Sequence, residues 1–215
     1  VKLGEQKTSI FKKGLPIIGL FVLLVIISLM LSLLFSWFKY VTLLLFIVTV
    51  VVTNFFRDPE RRIVVDPEII YSPADGKIIE ISDLGEEYCI KIFMNLFNVH
   101  VQRSPVDGMV RKIVYKKGTF FPAGRKDTEY LNEQNLIEIW TSDFVSLKIL
   151  QIAGFFARRI VCLVKEKETV KQGQKIGFIL LGSQVNLTIP KNSVELLVKE
   201  GTKVFAGITK IALRK

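Results

Sequence analysis

From residue 14 to residue 38 the chain runs for 25 residues without a charge, and after Lys39 and Tyr40 a second uncharged run covers 41–56. As helices these would extend about 37 Å and about 24 Å, against a hydrocarbon core of about 30 Å. Lys7, Lys12 and Lys13 precede the first run and Arg57, Arg61 and Arg62 follow the second, with only Lys39 between. Positive residues at both ends favour a helical hairpin with both ends cytoplasmic. A single tilted span with an interfacial helix is the alternative. The apolar region is longer than the core of a secretory signal and ends in no small-residue site. The expectation is a membrane anchor over 1–56, with the domain over 57–215 on the cytoplasmic face of the cell membrane.

Half of the 215 residues are hydrophobic and the net charge is +10. In 1–56, five lysines against Glu5 give +4, which leaves +6 on the other 159 residues. A basic domain beside a membrane suits anionic phospholipid. Basic charge also suits nucleic acid, but no binding module or dense Lys/Arg block is present, so no nucleic-acid partner is expected. Cys89 and Cys162 lie in apolar surroundings and read as buried thiols of a reducing compartment. One histidine and two unpaired cysteines leave no metal site to expect.

Beyond Pro59 the pattern becomes short apolar runs punctuated by Gly, Pro and Asp. Runs at 90–101, 109–115, 136–140, 145–152, 160–164 and 176–181 have strand length and β-branched enrichment, and 185–190 is strand-like. Two internal echoes stand out. Ser72-Pro-Ala-Asp-Gly76 recurs as Ser104-Pro-Val-Asp-Gly108, and Val164-Lys-Glu with Val170 and Gly173 recurs as Val198-Lys-Glu with Val204 and Gly207. Asp-Gly between apolar strands marks a tight turn. The fold class expected is mainly β, a sandwich or barrel with biotinyl-type hairpin repeats and few short helices, behind the N-terminal hairpin.

Ser183, after Gly182 and before the 185–190 strand, is a nucleophile only if a base reaches it, and His100 is the chain's single histidine. Asp75 could orient that histidine, but its twin Asp107 shows that such aspartates also serve turns. Spacing does not say whether the three meet. A serine hydrolase is disfavoured because Ser183 lacks a Gly-x-Ser-x-Gly elbow. A membrane-tethered biotinyl-like carrier or adaptor without catalysis would account for the repeats alone.

The ordered pieces Phe55-Phe-Arg-Asp-Pro59, Ser72-Pro-Ala-Asp-Gly-Lys77, Ile92-Phe-Met94, Asn98-Val-His-Val101, Pro105-Val-Asp-Gly108, Gly118-Thr-Phe120, Asn132-Glu133, Gln151-Ile-Ala-Gly154, Ala157-Arg-Arg-Ile160 and Gly182-Ser183 resemble the short, prokaryotic-type phosphatidylserine decarboxylases. That resemblance implies a precursor that cuts itself at Gly182-Ser183 into a large subunit, 1–182, and a small one, 183–215. Ser183 would become a covalent pyruvoyl cofactor forming a Schiff base with phosphatidylserine, which is converted to phosphatidylethanolamine and CO2. It implies Ser183, His100 and Asp75 as catalytic residues, the acid being placed in the first repeat copy. Longer members carry a second histidine where this chain has Val101-Gln-Arg-Ser104, so either His100 serves both stages or another group substitutes. Arg103, Arg125, Arg158 and Arg159 are equal candidates for the headgroup phosphate. Another serine-headed lipid and a homo-oligomer are left open.

Overall fold

The computed structural model describes residues 12–119, 121, 131–143, 145–154, 159–180 and 183–215. The chain divides into two compact units, one ending at Glu60 and one running Arg61–Lys215.

In the first unit, a short turn at Lys12–Gly14 leads into helix α1, Leu15–Ser32, with Pro16 in its first turn, where no intrahelical N–H is needed. Helix α2 is Phe38–Phe55. Each spans about 27 Å, and both are long and apolar enough to cross a membrane. Their apolar side chains face outward, and Ser28 Oγ meets Thr42 Oγ1 at 2.9 Å between the helices. The break falls at 33–37, earlier than the expected Lys39-Tyr40. Ser32 Oγ bonds the Leu29 carbonyl at 2.6 Å, a local bond that competes with the backbone, while Lys39 is carried within the first turn of α2 over the Tyr40 ring.

The second unit is mainly β. Its strands are β1 Ile69–Tyr71, β2 Gly76–Asp83, β3 Glu87–Met94, β4 Val101–Arg103, β5 Gly108–Lys116, β6 Gln134–Trp140 and β7 Ser146–Ala153. They continue as β8 Ile160–Cys162, β9 Thr169–Val170, β10 Lys175–Ile179, β11 Ser183–Pro190, β12 Val194–Leu196, β13 Lys203–Val204 and β14 Lys210–Arg214. An eight-stranded sheet has the order β13-β2-β3-β11-β7-β6-β5-β9, and two three-stranded sheets are β1-β14-β12 and β4-β10-β8. The expected strand over 90–101 ends at Met94. Asn98 Oδ1 accepts from Asn95 N, and Asn95 Oδ1 from Phe97 N, side-chain bonds that turn the chain out of the ladder. Cys162 is half-buried rather than buried, and Cys89 is buried.

The two sequence echoes are one structural repeat. Strand β1 pairs with β14 as β4 pairs with β10, and β13 pairs with β2 as β9 pairs with β5. Ser72 Oγ donates to Ala74 O and Ser104 Oγ to Val106 O, both at 2.7 Å. Gly207 N donates to Ser72 O as Gly173 N does to Ser104 O, both at 2.8 Å. Gly173 and Gly207 have φ of +80° and +70°, and a Cβ on either would lie under 3.0 Å from Ile63, so both position and conformation require glycine.

Strand β11 lies between β3 and β7 and is almost wholly buried. Opposed residues share a face of the sheet. Leu187 and Val185 accordingly face Ile90 and Ile92 on one side and Ile149 and Gln151 on the other. The core side is apolar along its body and becomes polar only at one end, where Met94, Ser183, Gln151 and Asn135 gather. That end is the candidate site.

Candidate functional site

Ser183 is the first residue of β11, opposite Met94 of β3 and Ala153 of β7. The alternation Val185, Leu187, Ile189 buries this face, and Ser183 falls on it in register, with no exposed surface. Its hydroxyl donates to Met94 Sδ at 3.4 Å, a weak acceptor that leaves the oxygen's lone pairs for chemistry. Gly182, the other half of the expected scissile bond, lies outside the described residues.

His100 sits between the Asn95–Asn98 turn and β4 and is fully buried. Its Nδ1 meets the Asn98 carbonyl at 2.9 Å. A carbonyl only accepts, so Nδ1 carries the proton and Nε2 is the basic nitrogen. The His100 carbonyl accepts from Ile179 N at 3.3 Å and from Gln102 Nε2 at 2.8 Å. Gln102 Nε2 also lies 3.8 Å from Met94 Sδ. Met94 thus touches both Ser183 and the amide that holds His100, which brings two residues 83 positions apart in sequence to one end of the sheet.

Asp75 is buried too, but its bonds lead elsewhere. Arg61 grips both carboxylate oxygens at 2.7 Å each, and Ala206 N donates to Oδ1 at 2.8 Å. The same turn in the second repeat has Asp107 accepting from Gln172 N at 2.6 Å, so accepting a backbone N–H across the repeat is what this aspartate does in both copies. In place of a guanidinium, Asp107 has the more distant Lys171 ammonium at 3.9 Å. The His100 ring is held by Asn98 and the Asp75 carboxylate by Arg61.

Sequence reasoning missed the buried amides. Asn135 Nδ2 donates to Gln151 Oε1, Gln151 Nε2 donates to Gln102 Oε1, and Gln102 Nε2 donates to His100 O, each at 2.8 Å. All three side chains are at most 2% exposed. A signal was available for one of them: Gln151 interrupts the apolar run Ile149-Leu150-Gln151-Ile152-Ala153. Asn132 and Glu133 are buried as well, tied to Ala153 O and Ile160 N. The Tyr115 phenol is pushed up, by burial first and by the Glu133 carboxylate next, with Arg159 opposing. Of the four candidate phosphate arginines, Arg103 is buried and donates to Gly173 O at 2.9 Å. Arg159 is exposed, with its carbonyl bonded to Leu180 N three residues before Ser183. Arg125 and Arg158 lie outside the described residues.

Residues 48–212 match the family model for phosphatidylserine decarboxylase. A phosphatidylserine decarboxylase proenzyme of Carboxydothermus hydrogenoformans is 40% identical over 176 residues, 79% of this chain and 82% of that one. A putative archaetidylserine decarboxylase proenzyme of Methanosarcina barkeri is 47% identical over 161 residues, 75% of this chain and 76% of the other. A phosphatidylserine decarboxylase proenzyme of Oleidesulfovibrio alaskensis is 39% identical over 213 residues, covering 96% and 95%.

Proposed function

Because the chain belongs to the phosphatidylserine decarboxylase family, we propose that it is a precursor that breaks itself between Gly182 and Ser183 and then decarboxylates a serine-headed phospholipid. The product is the ethanolamine-headed lipid and CO2. The observation that carries this reading is the burial of Ser183 and His100 at one end of the sheet, joined through Met94 and Gln102.

In maturation, His100 Nε2 takes the proton of Ser183 Oγ, and Oγ attacks the Gly182 carbonyl carbon. The peptide C–N bond breaks and an ester forms. Loss of the Ser183 α-proton to a base expels the Gly182 carboxylate, and addition of water to the resulting enamine releases ammonia. Residues 1–182 and 183–215 separate covalently with a ketone heading the shorter piece. Strand β11 between β3 and β7, and β14 beside β1, support continued association of the two pieces.

A pyruvoyl group derived from Ser183 would supply an electrophilic carbonyl for the substrate amine and an electron sink for loss of CO2. His100, with Nε2 as its exchanging nitrogen, returns a proton to the substrate carbon. Asp75 acts as a positioning residue through the turn that it pins with Arg61 and Ala206. The two apolar helices support a membrane anchor, and the flanking Lys and Arg residues support a cytoplasmic domain.

The 47% identity to the Methanosarcina barkeri relative favours a second substrate, archaetidylserine, for the same chemistry. Intact mass and a denaturing gel of the full chain test maturation: two pieces are expected from the wild type and one from Ser183→Ala. Efficient cutting of Ser183→Ala, or an active wild type still in one piece, refutes it. CO2 release from micelles of each lipid ranks the substrates.

A further inference from the structure

Resting on that reading, we propose that Gln102, fixed in turn by Gln151 and Asn135, is the positioning residue that holds His100 in register with Ser183. Three amides, Asn135, Gln151 and Gln102, are buried on strands that also bury Ile137, Ile139, Leu147, Ile149 and Val101. Apolar residues of similar size would pack there without the need to satisfy each amide. What the amides add is direction. Gln102 Oε1 accepts from Gln151 Nε2, so the Gln102 amide cannot flip, and its Nε2–H must face the His100 carbonyl. The orientation of Gln151 is fixed the same way by Asn135.

The backbone makes room for this series. A Cβ on Gly177 of β10 would lie 2.3 Å from Gln151 Nε2, so glycine is required there for the amide to sit. Gly177 pairs with Gln102 in the β10–β4 ladder. Asn135 of β6 and Gln151 of β7 therefore act in series through Gln102 of β4 on one acceptor, the carbonyl of the residue that carries the only imidazole, and Ile179 N of β10 donates to the same carbonyl. With Nδ1 on the Asn98 carbonyl two residues earlier, both ends of His100 are tied, and Nε2 points in a fixed direction. Fixing a base to within a fraction of an ångström matters because a displacement of about 1 Å can cost about a hundredfold in rate. Gln102 also touches Met94, the acceptor of the Ser183 hydroxyl, so one amide locates both partners.

The test is pulse-chase self-cleavage of the full chain, made by cell-free synthesis into lipid vesicles, with melting measured in parallel. Gln102→Leu removes the donor, and cutting should slow by about ten- to a hundredfold at every pH. Gln102→Glu places a carboxylate against the His100 carbonyl; ionised it cannot donate, protonated it can. Its deficit relative to wild type should be large at neutral pH and narrow as pH falls. Among the described residues the side chains bonded to Gln102, those of Gln151 and Met94, carry no charge, and Gln102 meets His100 through the backbone carbonyl. Ile139→Val, in the same core face but away from the site, controls for loss of stability and should cut at the wild-type rate. If the Gln102 variants fail to melt cooperatively, Asn135→Leu at the far end of the series takes their place, with cutting several-fold slower. Cutting within twofold of wild type in these variants at every pH overturns the positioning role. A wild type that is not cut at all overturns the functional reading instead.

Discussion

Replacing Arg61 by Met should destabilise the β unit far more than replacing Lys171 by Met, although both cations serve the same turn in the two repeats. Arg61 and Asp75 are 6% and 5% exposed and meet through two bonds of 2.7 Å. Without the guanidinium, the buried carboxylate keeps, among the described residues, the Ala206 N–H, and breaking a buried pair this way costs about 3–5 kcal/mol. Lys171 and Asp107 are 60% and 51% exposed at 3.9 Å, and such a pair contributes about 0–1 kcal/mol. At about 2–4 °C per kcal/mol for a domain of this size, the expected losses in Tm are about 6–20 °C against at most about 4 °C. The assay is Trp140 fluorescence on heating the full chain in detergent micelles, in a Trp37→Phe background so that the β unit alone reports. Adding Asp75→Asn to Arg61→Met should recover most of the loss, because the stranded charge disappears while an acceptor for Ala206 N remains. Equal losses for the two single variants, or no recovery in the double variant, would refute the argument from burial.

Gly177→Ala should destabilise by about 2–5 kcal/mol, from overpacking and from displacing the Gln151 amide 2.3 Å away; a neutral melt contradicts the close packing. The Glu138 carboxyl is held below the ordinary glutamate range, first by the Trp140 indole N–H and then by Ser146. Its stabilisation is thus complete above the unfolded-state value and is lost as pH falls through the lower folded-state value. Denaturant titrations below about pH 5 should show a shallower acid-side loss in Glu138→Gln than in wild type. After cleavage the 183–215 piece should co-purify with the larger one until denatured, because β11 is hydrogen-bonded on both edges; its release in mild detergent contradicts that.

Sequence legibility varied with how local the cause was. The turn at Ser72–Gly76 and its copy at Ser104–Gly108 were readable because serine and aspartate bond backbone only a few positions away or across a repeated partner. The strand ending at Met94 was overrun in the expectation because the stop is made by two asparagine side chains rather than by Gly or Pro. The helix break falls before Lys39 because a single lysine is tolerated in a first turn, whereas Ser32, bonding back to Leu29 O, marks the end of the helix.

By itself the chain determined two membrane-length apolar helices, a β unit with a duplicated turn, and the family, since each is written in composition, period or ordered motifs. The tertiary structure alone decided that Arg61 claims Asp75, that Asn98 orients His100, and that amides from β6, β7 and β4 run in series to the His100 carbonyl. The physical reason is range. Gln102 and Gln151 are 49 residues apart and Arg61 and Ala206 are 145 apart, and such contacts depend on strand register, which no local pattern specifies.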